Sequence, residues 1–171
     1  MAERLRPPAN RVAPRAMYLW GMEALGSVAG GVVLAVAAVL AIRSASPPWF
    51  QGWIADDIWW LPVLAAVVLL PLVVVQPVIR YRVHRWEVLP EVVYTLSGWI
   101  DRRWHMVPIS RIQTVDTRRG AIERVLGLAT VRINTASHAG SSTIRGLPGD
   151  VAEELAMRVA RQANEQRDDA T

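Results

Sequence analysis

The chain has 171 residues, a formal net charge of +4 and no cysteine, which excludes disulfides, thiolate metal sites and cysteine nucleophiles. All 19 basic residues are Arg; residues 1–85 hold eight of them against four acids, while residues 86–171 hold eleven against eleven. A nucleic-acid-binding domain concentrates positive charge on its soluble part, so the balanced second half argues against that partner.

Residues 1–16 form a basic tail carrying Arg4, Arg6, Arg11 and Arg15. An apolar run follows over about residues 17–42, with Glu23 as its one charge, and a second, without any charge, over about residues 58–79. At about 1.5 Å per residue each reaches across a hydrocarbon core of roughly 30 Å. The first run is too long for a signal-peptide core of about 7–15 residues. Residues 17–79 thus read as a transmembrane hairpin. Of the three prolines in the second span, Pro71 is expected to bend it by removing a helical hydrogen bond.

Arginines flank the hairpin at Arg15 and at Arg80, Arg82 and Arg85, whereas the connection from Arg43 to Asp57 has one Arg and two Asp. By the positive-inside rule both termini face the cytoplasm, giving a multi-pass protein of the cell membrane. Tyr18, Trp20 and Tyr81 fall at the inner boundary and Trp49, Trp53, Trp59 and Trp60 at the outer one, as interfacial aromatics do. Arg15, Arg80, Arg82 and Arg85 are candidates for contact with lipid headgroups.

Within the first span Gly26 and Gly30 are four apart, as are Ser27, Gly31 and Ala35, which makes a strip of small residues where another helix can approach closely. Packing inside the hairpin is the simpler use of this strip, and an intermolecular contact the other. Glu23 lies one turn earlier. An intramembrane carboxylate is a candidate functional group, yet this one is only about 9 Å inside the boundary, where a structural pairing with headgroups or Arg80 is expected.

From Arg80 the pattern changes to short alternating runs. YRVHRWEVL, VVYTLS and WIDRRWHMV read as strands separated by Pro90-Glu91 and Gly98; in the third, Ile100, Trp104 and Met106 are expected to share the inner face. IQTVDT is a fourth strand, IERVLGL a short helix closed by Gly127, and ATVRINT a strand with Ala129, Val131 and Ile133 inward. SHAGS is a turn and STIRGL a last strand. Asp150 with Glu153 resembles a capping box opening a helix whose stripe is Val151, Leu155 and Val159. Residues 80–166 therefore form a cytoplasmic antiparallel α+β domain with a C-terminal capping helix, and residues 167–171 a disordered tail.

The segment VPISRIQTVDTRRGAIERVLGLATVRINTAS closely resembles the bacterial pleckstrin-homology-like membrane proteins of the YdbS-like type. The resemblance covers about residues 80–160, and the two preceding spans fit it. It implies a bacterial membrane protein with a pleckstrin-homology-like bent sheet or barrel closed by the C-terminal helix, and it supplies little mechanism. Phosphoinositide-binding members of the wider fold present basic residues around the loop joining their first two strands; here that loop is Leu89-Pro90-Glu91.

No enzyme signature is present. His84, His105 and His138 lack metal-ligand spacing, Ser110 has no nucleophile elbow, no glycine-rich phosphate loop occurs, and Asp101, Asp116 and Glu123 show no acid–base pairing. No cofactor, nucleic acid or small-molecule substrate is implied. Arg111, Gln113 and Arg124, in the family-like stretch, are candidates either for a partner surface or, the simpler reading, for polar bracing of a small barrel.

The leading expectation is a non-catalytic, membrane-anchored interaction module that presents its domain at the inner leaflet to a protein partner or another copy. A reader of anionic membrane lipids is the alternative, and a component of a transport or membrane-enzyme complex using Glu23 is a third.

Overall fold

In the computed structural model, residues 6–45, 47, 58–136 and 140–168 are described. They divide into a helical unit, Trp20–Pro77, and a second unit formed by the residues up to Leu19 together with those from Val78 onward.

Two helices make the first unit: α1 (Ala16–Ala45, 30 residues) and α2 (Trp60–Val83, 24 residues), whose end segments belong to the second unit. Their lengths, about 45 and 36 Å at 1.5 Å per residue, are sufficient for a bilayer. Their side chains are apolar and largely exposed, Leu34 at 72% and Val74 at 68%, which is the reverse of a soluble core helix. Pro62 falls in the first turn of α2, where its missing N–H has no helical acceptor to lose. Pro71 and Pro77 lie inside that helix. The seam between the helices runs through glycines of α1. A Cβ on Gly21 would sit 3.9 Å from Pro77 and one on Gly31 3.9 Å from Leu69. Near the connection the Arg43 guanidinium lies 6.0 Å from the Trp59 ring centroid. The expected outer-boundary residues Trp49 and Trp53 lie outside the described residues.

α2 continues through Tyr81, Arg82 and Val83, where alternation suggested a strand. His84 N–H still donates to Arg80 C=O at 2.8 Å, and the arginines of this last turn suit the negative end of the helix dipole.

The second unit has seven strands in two antiparallel sheets. β1 (Asn10–Arg11), β2 (Arg85–Val88), β3 (Val92–Ser97) and β4 (Arg103–Pro108) form one sheet in sequence order. β5 (Ile112–Arg118), β6 (Leu128–Thr135) and β7 (Ser142–Pro148) form the other. A short helix α3 (Ala121–Val125) joins β5 to β6, and α4 (Gly149–Asp168) follows β7. The two bent sheets do not close into a barrel. α4 covers the second sheet with Ala152, Leu155, Val159 and Ala163, all buried. It continues through Asp168, past the expected start of a disordered tail, while residues 169–171 lie outside the described residues.

The sheets meet in a core of Val93, Val107, Ile133, Ile144 and Leu147, each no more than 1% exposed. Ala129, Val131 and Ile133 point inward as their alternation predicts. The inner face of β4 is the opposite of the expected one. Thr95, buried, stands opposite His105, and Val93 opposite Val107. Val107 is therefore inside, while Met106 is 48% exposed and Ile100 lies before the strand at 79%. Strand parity is set by pairing with β3, and a one-residue difference reverses every side chain.

The N-terminal segment is part of this unit. Asn10 pairs with Trp86 and Arg11 with Arg85, Val12 and Ala13 are buried, and Ala13 N–H donates to Gly146 C=O at 2.9 Å. Glu87 accepts from Ala9 N–H and, at 3.5 Å, from Arg6.

Candidate functional site

Of the small-residue strip, the structure brings Gly31 against α2 but leaves Gly26 and Gly30 exposed, with nothing within 4 Å of a Cβ at either. The geometry explains the division: at 3.6 residues per turn Gly26 lies about 160° around α1 from Ala24, which is buried. Ser27 is exposed and its hydroxyl donates back to the Glu23 C=O at 2.9 Å, so that side chain is turned onto its own helix. Glu23 itself is half-buried.

The four arginines proposed for headgroups are not equivalent. Arg15 and Arg82 are exposed, whereas Arg80 and Arg85 are half-buried. A Cβ on Gly127 would lie 3.7 Å from Arg15 Nη1, which places the start of α1 beside the α3–β6 corner. Gly127 has φ +67°, a conformation glycine adopts without strain.

Arg111, Gln113 and Arg124 are all exposed, which does not suit internal bracing of a barrel. Arg111 ends a 3-10 turn, Ile109–Arg111, and Gln113 sits at the bulge between Ile112 and Thr114. Polar bracing is seen at further residues. Glu123, buried, accepts from Thr130 Oγ1 at 2.6 Å and from Gly120 N–H at 2.8 Å, so its carboxylate caps the first turn of α3. Glu153, expected to form a capping box with Asp150, instead accepts from Arg119 at 2.7 Å. Thr95 and Ser142 hydroxyls are 2.8 Å apart across the two sheets. The side chain of Asn134 donates to Thr114 and Asp116 on β5. Alternation marked these strands, but no local pattern marked the pairs, because each joins residues on different elements.

His84, at the junction of α2 and β2, is buried. Its pKa is lowered from 6.5 to about 4, chiefly because burial disfavours the imidazolium and secondarily through Arg80 and Arg145. His105 is half-buried opposite Thr95, and His138 lies outside the described residues. Among the described residues no three His, Asp or Glu side chains converge as metal ligands. Open depressions among the described residues include one of about 200 Å³ beside Arg6, Glu87, Leu89 and Tyr94 and one of about 280 Å³ along α4 beside Met157 and Arg161. Both are smaller than the roughly 300–1,000 Å³ typical of small-molecule sites.

The remaining candidate is a strand edge. β4 ends the first sheet with no further strand bonded to its outer side among the described residues, and Met106 on that strand is 48% exposed. Such an edge offers backbone donors and acceptors to a partner.

Comparison with known proteins agrees with this architecture. Residues 17–163 match the family described as Bacterial PH domain. The chain is 30% identical over 164 residues, 95% of its length and 97% of the other's, to the UPF0699 transmembrane protein YdbS of Bacillus subtilis (strain 168). No solved structure matches the chain.

Proposed function

Because the chain belongs to the bacterial PH domain family, in a transmembrane branch that includes YdbS, we propose that it is a membrane-anchored interaction module. Its hairpin crosses the cell membrane twice, both ends lie in the cytoplasm, and the domain binds a protein partner or another copy. Support for the two crossings comes from pairing. Asn10 and Arg11, before α1, are hydrogen-bonded to β2, after α2, which favours an even number of crossings between them. The arginine asymmetry selects the cytoplasmic side.

The observation that carries the interaction role is the open β4 edge with exposed Met106 beside it, a geometry suited to strand addition. A photo-crosslinking residue at Met106, in the full-length protein in native membranes, should give protein adducts that the same residue at Met157 on α4 does not. Adducts equal at both positions, or none at Met106, would remove the edge as the site. A single cysteine replacing Ser44 should react with an impermeant maleimide in intact cells, and one replacing Ser141 only after lysis. The opposite pattern would refute the cytoplasmic placement.

Anionic-lipid binding is the second reading, favoured by the exposure of Arg15 and Arg82 at the two helix ends that join the domain. About 1 kcal/mol per basic residue at an anionic surface is the scale of such binding.

A further inference from the structure

Two backbone hydrogen bonds fix which groups β4 turns outward. Leu89 N–H donates to Val92 C=O at 3.0 Å, and Ile109 N–H donates to Glu91 C=O at 2.9 Å. Leu89 and Val92 stand opposite each other when the β2–β3 register is continued, so Val92, Tyr94 and Leu96 direct their backbone groups to β2. Ile109 and Glu91 stand opposite each other in the β3–β4 register, so Val107, His105 and Arg103 direct theirs to β3. The two assignments agree, since bonding alternates along an antiparallel strand. Trp104 and Met106 therefore direct both N–H and C=O away from the sheet, and Pro108 directs a C=O alone.

The middle of this edge carries none of the devices that blunt edge strands, which are charged side chains, prolines and bulges. Arg103, exposed and paired with Asp101 at 3.0 Å, stands at one end of β4 and Pro108 at the other. Between them come Trp104, His105, Met106 and Val107, and the pairing with β3 runs through them without a register shift. Trp104, half-buried, and Met106, 48% exposed, share the face of β4 that is turned from the core.

The strand that matches this pattern is another β4. Rotation about a two-fold axis at His105 sets Trp104 opposite Met106 of the other copy, and Met106 opposite Trp104. Each outward N–H then meets an outward C=O, in both directions. An axis at Met106 would instead set Trp104 opposite Pro108, which returns no donor. An axis at Trp104 would set Met106 opposite Arg102, outside the strand. The side chains favour the same register. It places a thioether against an indole on each side of the axis, a favourable contact, and it sets Arg103 opposite Val107 instead of a second cation.

We propose that β4 pairs antiparallel with β4 of a second copy about a two-fold axis through His105, joining two four-stranded sheets into one. Such a self-complementary contact occupies both edges at once and leaves neither open. It rests on the reading of the β4 edge as the interaction site, and it names the partner and the register.

The test uses full-length protein in native membranes with one cysteine at a time, since the chain has none of its own. At the axis the two Cα atoms of residue 105 would be about 4.5 Å apart, within disulfide range, whereas those of residue 103 would be about 13 Å apart. Mild oxidation should therefore link His105→Cys into dimers several-fold faster than Arg103→Cys. A photo-crosslinking residue at Met106, which needs no change at His105, should give adducts that map to Trp104 of a differently tagged copy. Equal linking at the two cysteines, or second-copy adducts that map away from β4, would overturn the register. Met106 adducts to a different protein, without His105→Cys dimers, would overturn the second copy and leave the edge as an interaction site. No adducts at Met106 would overturn both readings.

Discussion

Thr130 Oγ1 donates to Glu123 Oε1 at 2.6 Å, tying the short helix α3 to the strand that follows it, and the other oxygen of the same carboxylate accepts from Gly120 N–H at 2.8 Å. Both side chains are buried. Glu123→Ala leaves the Thr130 hydroxyl without its acceptor and the helix without its cap, and should cost about 2–3 kcal/mol. Thr130→Val removes one bond and should cost about 1 kcal/mol. Thermal unfolding of the detergent-solubilised full chain measures both. Equal, negligible losses would show that the carboxylate is dispensable.

Val12 is 3% exposed in the segment before α1. Val12→Asp introduces a carboxylate there and should destabilise the domain by at least about 3 kcal/mol, seen as accelerated proteolysis of residues 85–168 in membranes. Val12→Ile should leave the cleavage rate near that of the unaltered protein. Normal protease resistance in Val12→Asp would mean that the N-terminal strand is not integral to the domain.

The two kinds of glycine on α1 separate intramolecular from intermolecular packing. Gly31 faces Leu69, so Gly31→Leu should overpack the hairpin and cost about 1–3 kcal/mol. Gly26→Leu and Gly30→Leu meet no neighbour and should leave unfolding unchanged while weakening any contact with another copy, read by disulfide or chemical crosslinking in membranes. Destabilisation by Gly26→Leu in dilute monomer would move the seam to that face.

His84 gives the domain a pH dependence of known sign. Its folded pKa, about 4, lies below the unfolded 6.5, so the unfolded state binds more protons between these values. The stability is complete above pH 6.5 and is lost as pH falls toward 4, up to about 3 kcal/mol. His84→Gln should flatten the stability curve over that window. An unchanged slope would assign the acid sensitivity to other groups.

Long apolar runs made the two helices legible, and their ends moved by only a few residues. β3 was readable because VVYTLS alternates between clear turn signals, and β6 because small and β-branched side chains alternate in ATVRINT. β1 was not: two residues in an arginine- and proline-rich stretch carry no periodicity, and their partners lie far along the chain. β4 offered apolar residues on both faces, Trp104 and Met106 against Val107, so side-chain type did not set parity and pairing with β3 did. For the candidate sites, spacing identified the small residues of α1 but not which of them meets α2, since that depends on the angular position of a second helix. The family-like stretch pointed to Arg124, whereas the neighbouring Glu123 does the bracing.

The pairing of Ala9 with Glu87, 78 positions apart, also orders events during synthesis. At about 5–20 residues per second, the N-terminal strand exists for roughly 4–15 s before the ribosome has made the strand it joins. Throughout that interval both hydrophobic helices are being delivered to the membrane. The segment before α1 therefore waits longest for its partner, and this unit is completed only once the chain on both sides of the two helices has been made.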